Sequence, residues 1–354
     1  MVPRAIDLLS KMGAALIMEK SAGLSSGFPD REYERKGARL VESPGEVRET
    51  AEVLLAVRVD APSGLRTGQV VIGFCDPLSQ PQLMQQIAAT GATLFSMEFI
   101  PRITRAQSMD ALSSMASIAG YKAVLLAANA LPRMFPMMMT AAGTVPPARV
   151  FIIGAGVAGL QAIATARRLG AVVSAYDVRP AVKEEIQSLG AKFVSIAIDG
   201  AKAEGQGGYA RELDPESIRR QREQMAAAVQ EHDVVITTAA VPGKRAPLLV
   251  TKEMVAGMAP GSVIVDLAAE RGGNCELTRP GETVVEYGVT ILGPLNVPSE
   301  VPYHSSQMYA RNIATFLKNI VKDGQLNIDM QDEITRETLV TYQGEVVHPK
   351  LRTA

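Results

Sequence analysis

An α/β fold divided into two domains, each built on a mostly parallel sheet, is what this sequence predicts. Three observations carry the prediction. The chain has 354 residues, more than one compact core usually holds. Short apolar runs alternate with amphipathic stretches, the βαβ rhythm of a parallel sheet. The rhythm breaks at Pro146-Pro147 and then starts again, so a second series begins there.

In the first series, residues 53–59, 70–74 and 93–98 read as strands, and 81–90 as a helix between two of them. Ahead of them, residues 1–12 mix Arg4, Asp7 and Lys11 with apolar positions. That is the pattern of an amphipathic helix, not of a signal peptide. Residues 108–131 are rich in Ala and Leu and helical in period, long enough to bridge two domains. The second series has strands at 149–153, 172–176, 192–195, 234–238, 262–266 and 290–293. Helices are expected at 157–169, 181–189 and 214–230, the last with Asp214 as cap and Pro215 in the first helical position. Residues 200–208 hold four glycines beside Tyr209; they read as an ordinary connection or a flexible loop. The tail, 323–354, is polar with short strand-like pieces.

Composition removes several classes of function. Lys and Arg number 36 against 37 Asp and Glu, a net charge of −1, so no global field draws nucleic acid or anionic lipid. With no Trp and 5% aromatics, the core falls to Ala, Val, Leu, Ile and Met. Cys75 and Cys275 suggest a reducing compartment rather than a disulfide framework. No C-x-x-C or Cys/His cluster is present, so no metal site is readable. The most apolar stretch, 123–142, is interrupted by Pro132, Arg133 and Pro136, and a membrane span needs about 20 apolar residues. A membrane role would therefore require docking on another component.

The strongest local motif is Arg149-Val-Phe-Ile-Ile-Gly154-Ala-Gly156-Val-Ala-Gly159. A G-x-G-x-x-G follows an apolar β-branched run and opens a helix. Gly154 permits the tight turn, Gly156 lets backbone approach a pyrophosphate, and Gly159 allows close helix–strand packing. The helix start offers N–H groups and a positive dipole end to the anion. Asp177 ends the next strand, about 20 residues on, where a carboxylate accepts hydrogen bonds from ribose hydroxyls. A 2′-phosphate there would meet a like charge, so NAD(H) is expected rather than NADP(H). Arg179 argues the other way, because a nearby Arg accommodates a 2′-phosphate. The plain structural alternative is a glycine-rich βα turn with no nucleotide.

The segment Phe135-Pro-Met-Met-Met-Thr-Ala-Ala-Gly-Thr-Val-Pro-Pro-Ala-Arg149, with the helix that follows Gly156, resembles the NAD(H)-binding domain of the nicotinamide nucleotide transhydrogenase family. So do Pro260-Gly-Ser-Val-Ile-Val-Asp266, Gly272-Gly-Asn-Cys275 and the ending Val346-Val-His-Pro-Lys350. The resemblance covers nearly the whole chain. It implies two Rossmann-like domains with a cofactor cleft between them. The first would comprise residues 1–118 and be completed by 299–354; the second would be the NAD-binding domain, 119–298.

It also implies the site. The family's nicotinamide loop matches Pro101-Arg102-Ile-Thr-Arg-Ala-Gln107-Ser-Met-Asp110-Ala-Leu-Ser113, giving Arg102, Gln107, Asp110 and Ser113 as catalytic residues. A carboxamide offers one acceptor and two donors, so Arg, Asp and Ser suit it. Read from the residues alone, the same group caps and solvates the start of the long helix. The implied cofactor-binding set is Gly154, Gly156, Val157, Ala158, Gly159, Asp177, Val178, Arg179, Tyr209, Asp266, Glu270 and Asn296, with no metal. Gly207-Gly-Tyr209-Ala matches the family's mobile lid. The implied activity is hydride transfer from NADH to NADP⁺, the latter held by a partner component, and coupled to proton translocation by a membrane subunit. The expected assembly is a homodimer, cytoplasmic and peripheral at the inner membrane through its partners, without nucleic acid or direct membrane insertion.

Two departures from the pattern stand out. The family opens with a strand bearing Lys-Glu…Gly-Glu-x-Arg-Val, and residues 1–15 look like the helix after it. The expectation is a missing strand that leaves a sheet edge exposed. Met115 stands where the family carries Gln. Alanine dehydrogenase shares this architecture and is the rival enzyme. Its catalytic Lys and His would fall in Val57-Arg58-Val-Asp-Ala-Pro62 and among 75–78, where only Asp76, after a large shift, serves as an acid/base near pH 7. Of the histidines, His232 is expected at the surface, and His304 is a minor candidate near the expected cleft. A non-catalytic NAD sensor is the third reading.

Overall fold

The computed structural model describes residues 1–196 and 215–352. The expected lid with Tyr209 and the expected cap Asp214 lie outside the described residues. The chain forms two compact units, Met1–Met115 with Val301–Ala354, and Ala116–Glu300.

In the first unit, Val53–Arg58, Val70–Phe74 and Thr93–Ser96 pair in parallel, in that order. Leu339–Tyr342 then adds antiparallel to Thr93–Ser96 and carries Glu345–Val346 as the outer strand. Val53–Arg58 ends the sheet and is partly exposed. Ile17–Glu19 pairs with Arg39–Val41 in a separate parallel ladder. The amphipathic helix at the start forms as Pro3–Lys11, burying Ala5, Ile6 and Leu9. The tail is less polar in effect than in composition, since Leu339 and Val340 are fully buried.

The second unit holds a seven-stranded sheet in the order Lys192–Phe193, Val172–Tyr176, Arg149–Ile153, Val234–Thr237, Val263–Asp266, Val289–Leu292, Thr283–Glu286. Every pairing is parallel except the last, a hairpin. Its central strands, Arg149–Ile153, Val234–Thr237 and Val263–Asp266, are buried on both faces, so they read as continuous apolar runs rather than alternating ones. Each fully buried Val, Ile or Phe there contributes about 1.5–3 kcal/mol.

Several boundaries move for local reasons. The long helix begins at Ala111, not 108, because Asp110 caps it: its Oδ1 accepts from Ser113 N at 2.8 Å. It ends at Ala130, where the next residue, Leu131, precedes Pro132, and a following proline disfavours the α region. Thr93–Ser96 stops two residues early because Met97–Phe99 turns as a 3₁₀ helix. The long helix, Ala111–Ala130, is long and apolar enough to cross a membrane, a property that the interrupted stretch 123–142 does not show. Its length and composition have an explanation within the fold. Ala123, Val124 and Ala127 are fully buried in the second core, and a Cβ on Gly120 would stand 2.0 Å from the Ala158 carbonyl.

His232 corrects an expectation. It is 6% exposed rather than on the surface, stacked on Phe151 at 5.2 Å with Nδ1 2.6 Å from the Ala228 carbonyl. Burial lowers its pKa. Charged sequence neighbours suggest a solvated imidazole; the helix end folds it inward instead.

Candidate cofactor site

The chain leaves Arg149–Ile153 toward one side of the second sheet and returns to pair Val234–Thr237 on its other side. Ligands in open α/β sheets bind outside the carboxyl ends of the strands at such a reversal. The glycine loop sits there. Gly154 has φ +96° and donates its N–H to Tyr176 O at 2.8 Å, so the turn needs a residue at ease in the left-handed region. A Cβ on Gly159 would lie 1.9 Å from Gly154 O, which forbids any side chain. Among the described residues, a Cβ on Gly156 would meet nothing within 4 Å. On that open side a ligand can approach the backbone unobstructed. The helix Val157–Arg168 has Gly156 as N-cap and no side-chain cap. Its first N–H groups, at Val157 and Ala158, therefore point from a positive dipole end toward the open side of the loop. These features fit a pyrophosphate.

Asp177 follows the strand Val172–Tyr176, beside the glycine loop. Its carboxylate is held in place by Ala155 N on Oδ2 at 2.7 Å and Arg179 N on Oδ1 at 2.9 Å. Arg179 also reaches it with Nε and Nη2, both at 3.0 Å. Val178, between them, is half-buried against the core beneath.

Asp266 behaves differently from its expected role. It is 0% exposed, and its two oxygens accept five hydrogen bonds, from Thr237 Oγ1, Ala268 N, Asn274 N, Cys275 N and Thr278 Oγ1. The carboxylate therefore shapes the loop that follows its strand. Glu270, on that loop, is exposed and accepts from Asn296 N, which ties together two residues of the expected set. Asn296 takes φ +47° there, which Asn tolerates.

Sequence reasoning missed Thr238 and Asn274. Thr238 Oγ1 donates to Gly154 O at 2.9 Å and so braces the glycine loop from the next strand. Asn274 binds Ala239 through both N–H and C=O, and also Pro247 O, fixing the 238–247 loop. Thr238 was findable, because it stands one residue past an apolar strand at the reversal point. Asn274 offers no such signal, since its partners lie 27–35 residues away.

In the first unit, Arg102 and Gln107 are exposed, while Asp110 and Ser113 are half-buried and bonded to each other. Asp110 Oδ2 accepts from Ser113 Oγ at 2.6 Å. The loop itself is held by Asn312 Nδ2 on Ser108 O, 3.0 Å. Glu98, also missed, is a half-buried carboxylate that accepts from the backbones of Cys75 and Asp76 and from Ser96 Oγ. Burial raises its pKa. It pins the turn in which Asp76 takes φ +47°. His304 is exposed, edge-on to Tyr303. Among the described residues, no three His, Cys, Asp or Glu are grouped to hold a metal.

The loop, the open approach and the acid define a dinucleotide-binding α/β protein. The chain belongs to the alanine dehydrogenase/PNT family: the family's N-terminal domain matches residues 1–119 and its C-terminal domain residues 123–349. Within that family it is similar to an NAD(P) transhydrogenase subunit alpha protein of Rhodospirillum rubrum, 44% identical over 360 residues, covering 99% of this chain and 94% of that protein. The crystal structure of transhydrogenase from Sinorhizobium meliloti superposes with a TM-score of 0.85 at 46% identity, covering 98% of this chain and 94% of that one. An alanine dehydrogenase from Methanococcus maripaludis is more distant, 27% identical over 366 residues, covering 99% and 91%. The subunit wording of the first relative implies partner subunits, and a pyridine nucleotide is the family's cofactor.

Proposed function

We propose that the chain is the NAD(H)-binding component of a proton-translocating transhydrogenase. It would pass hydride from NADH to NADP⁺ held by a partner component, with a membrane subunit coupling that step to proton movement. The observation that carries this reading is the Asp177 carboxylate at the ribose end of a glycine loop whose helix start has no side-chain cap. Identity of 43% and 44% to transhydrogenase alpha subunits supports it further.

In this reading Gly154, Gly156, Val157, Ala158 and Gly159 receive the pyrophosphate, Asp177 and Val178 receive the adenosine ribose, and Arg179 stands beside them on the Asp177 carboxylate. Glu270 and Asn296 line the far loop, shaped by Asp266, and Tyr209 belongs to the lid. Arg102, Gln107, Asp110 and Ser113 orient the nicotinamide carboxamide. NADH supplies the hydride; the chain's own task is position, since two rings held about 3–3.5 Å apart in line need no acid or base. A homodimer is supported by the hairpin of Met138–Thr140 and Gly143–Val145, where Met137 and Met139 are 58% and 81% exposed. Exposed apolar groups in one patch mark contact surfaces. We place the assembly at the cytoplasmic face of the inner membrane, held there by its partners.

Alanine dehydrogenase chemistry is disfavoured. It needs a proton acceptor after Val70–Phe74. There Cys75 is buried with its thiol pushed well above the ordinary range, and Glu98 is already committed to three donors.

The test is single-turnover hydride transfer after mixing with an NADP(H)-binding transhydrogenase component, beside an equilibrium NADH titration. The chain alone should bind NADH and transfer nothing. Gln107→Asn keeps the amide but shortens its reach, so the rate should fall about tenfold or more while NADH affinity stays within about twofold. Transfer at the unaltered rate would return the loop to the role of a helix cap. Alanine-dependent NADH formation at about 1–10³ per second would overturn the transhydrogenase reading.

A further inference from the structure

We propose that Arg179 competes with the nucleotide ribose for Asp177, and so sets how strongly the site separates NADH from NADPH. The proposal rests on the reading of Asp177 as the ribose acceptor.

Asp177 Oδ1 accepts from Arg179 N at 2.9 Å, a turn in which an Asp side chain bonds the backbone two residues on. Pro180 follows and confines Arg179 to the extended region, seen at φ −86°, ψ 118°. With its backbone held this way, Arg179 lays its guanidinium along the carboxylate. Nε meets Oδ1 and Nη2 meets Oδ2, both at 3.0 Å, the two-pronged geometry specific to Arg. The pair is sheltered, with side chains 15% and 6% exposed.

A count of acceptor places gives the consequence. An ionised carboxylate offers about four lone-pair positions. Asp177 spends all of its capacity on four protein donors: Ala155 N, Arg179 N, Arg179 Nε and Arg179 Nη2. Two of these are backbone groups built into the glycine loop and its turn, and they cannot leave without unfolding it. The two guanidinium contacts are the only ones of the four that a side-chain rotation can release. Two ribose hydroxyls need two acceptor places, so ribose binding must displace Arg179. Part of the NADH binding energy is spent on that displacement.

The effect on NADPH has the opposite sign. While Arg179 lies on Asp177 the local charge is near zero, so a 2′-phosphate is repelled less than by a bare carboxylate. Once displaced, the guanidinium is tethered two residues away and faces that phosphate. Arg179 therefore penalises NADH and favours NADPH. Its removal should sharpen discrimination, not blunt it.

The experiment titrates NADH and NADPH separately into the wild-type chain, Asp177→Ala, Arg179→Ala and Arg179→Lys, with a thermal melt of each. Wild type should bind NADH, and Asp177→Ala should weaken it about tenfold or more. If either fails, the ribose reading itself is wrong and the proposal goes with it. If both hold, Arg179→Ala should bind NADH about five- to tenfold tighter and NADPH weaker by a similar factor. A side chain that only supported the loop would weaken both ligands on removal. Weaker NADH binding, or no change in either ligand, overturns the proposal. Should Arg179→Ala not fold, Arg179→Lys decides. It keeps a charge but loses the two-pronged contact, so NADH should tighten about two- to threefold; unchanged or weaker NADH binding counts against the competitor.

Discussion

Cys75 and Cys275 are 3% and 1% exposed, and burial pushes both thiols up, Cys275 from an ordinary 9.0 to about 11. The nucleophile of thiol chemistry is the thiolate, so neither residue should react in the folded protein near pH 8. Modification by a chromogenic disulfide should follow unfolding, not precede it; rapid reaction of the native chain at about pH 8 would contradict this burial. The same shift has a sign in stability. The unfolded chain ionises Cys275 from about 9, the folded chain only at about 11. Stability from the protonated buried thiol is thus complete below the unfolded value and is lost as pH rises through the folded one. Cys275→Ala should flatten the alkaline part of the melting profile. Neither residue's burial was legible from composition, which only argued against a disulfide. The neighbours that bury Cys275, among them Val250 and Leu249, come from a segment some 25 residues earlier.

At the scale of elements, the glycine loop gives the clearest contrast. Gly156 and Gly159 share one motif, but their surroundings differ. A methyl on Gly159 collides with the Gly154 carbonyl, so Gly159→Ala should cost about 1–3 kcal/mol of stability or more. A methyl on Gly156 meets no atom within 4 Å among the described residues, and its φ of −75° suits any residue. Gly156→Ala should therefore melt as wild type yet bind NADH about tenfold more weakly, because the methyl stands where the pyrophosphate approaches. Melting curves beside titrations separate the two, and undiminished NADH binding by Gly156→Ala would remove the pyrophosphate from this loop. The strand, loop and helix here were fully legible, since a βα turn is local. Leu339–Tyr342 was not. Its segment is polar in composition, and it becomes a buried strand through pairing with Thr93–Ser96, more than 240 residues away. Thr283–Glu286 escaped for a similar reason: alternately exposed and half-buried, it is held as a strand by its hairpin with Val289–Leu292.

On the scale of the whole molecule, the chain builds its first unit from both ends and its second from the middle. The hairpin that carries Met137, Met138 and Met139 projects its methionines from the second unit. Unbranched thioether side chains adapt to an opposing surface and serve well at such contacts. If two copies meet there, Met139→Glu buries a charge in the interface and should shift the sedimentation of the chain from dimer toward monomer. NADH affinity per chain should remain within about twofold, because the glycine loop lies on other elements. A monomeric wild type, or a variant dimer as stable as the wild type, would count against this surface.

The sequence by itself determined the α/β class, the mostly parallel character of the sheets, the glycine loop and the acid at the end of the following strand. These follow from short-range causes: hydrophobic period, the stereochemistry of glycine and proline, and the fixed length of a βαβ unit. Only the tertiary structure decided that Asp266 turns inward to five donors. It alone placed His232 on Phe151, Glu98 beneath the Asp76 turn, and a tail strand in the first sheet. It also brought the guanidinium of Arg179 onto Asp177. Those outcomes depend on which donor comes within about 3 Å of which acceptor, a matter of long-range packing and side-chain rotation that residue spacing does not encode.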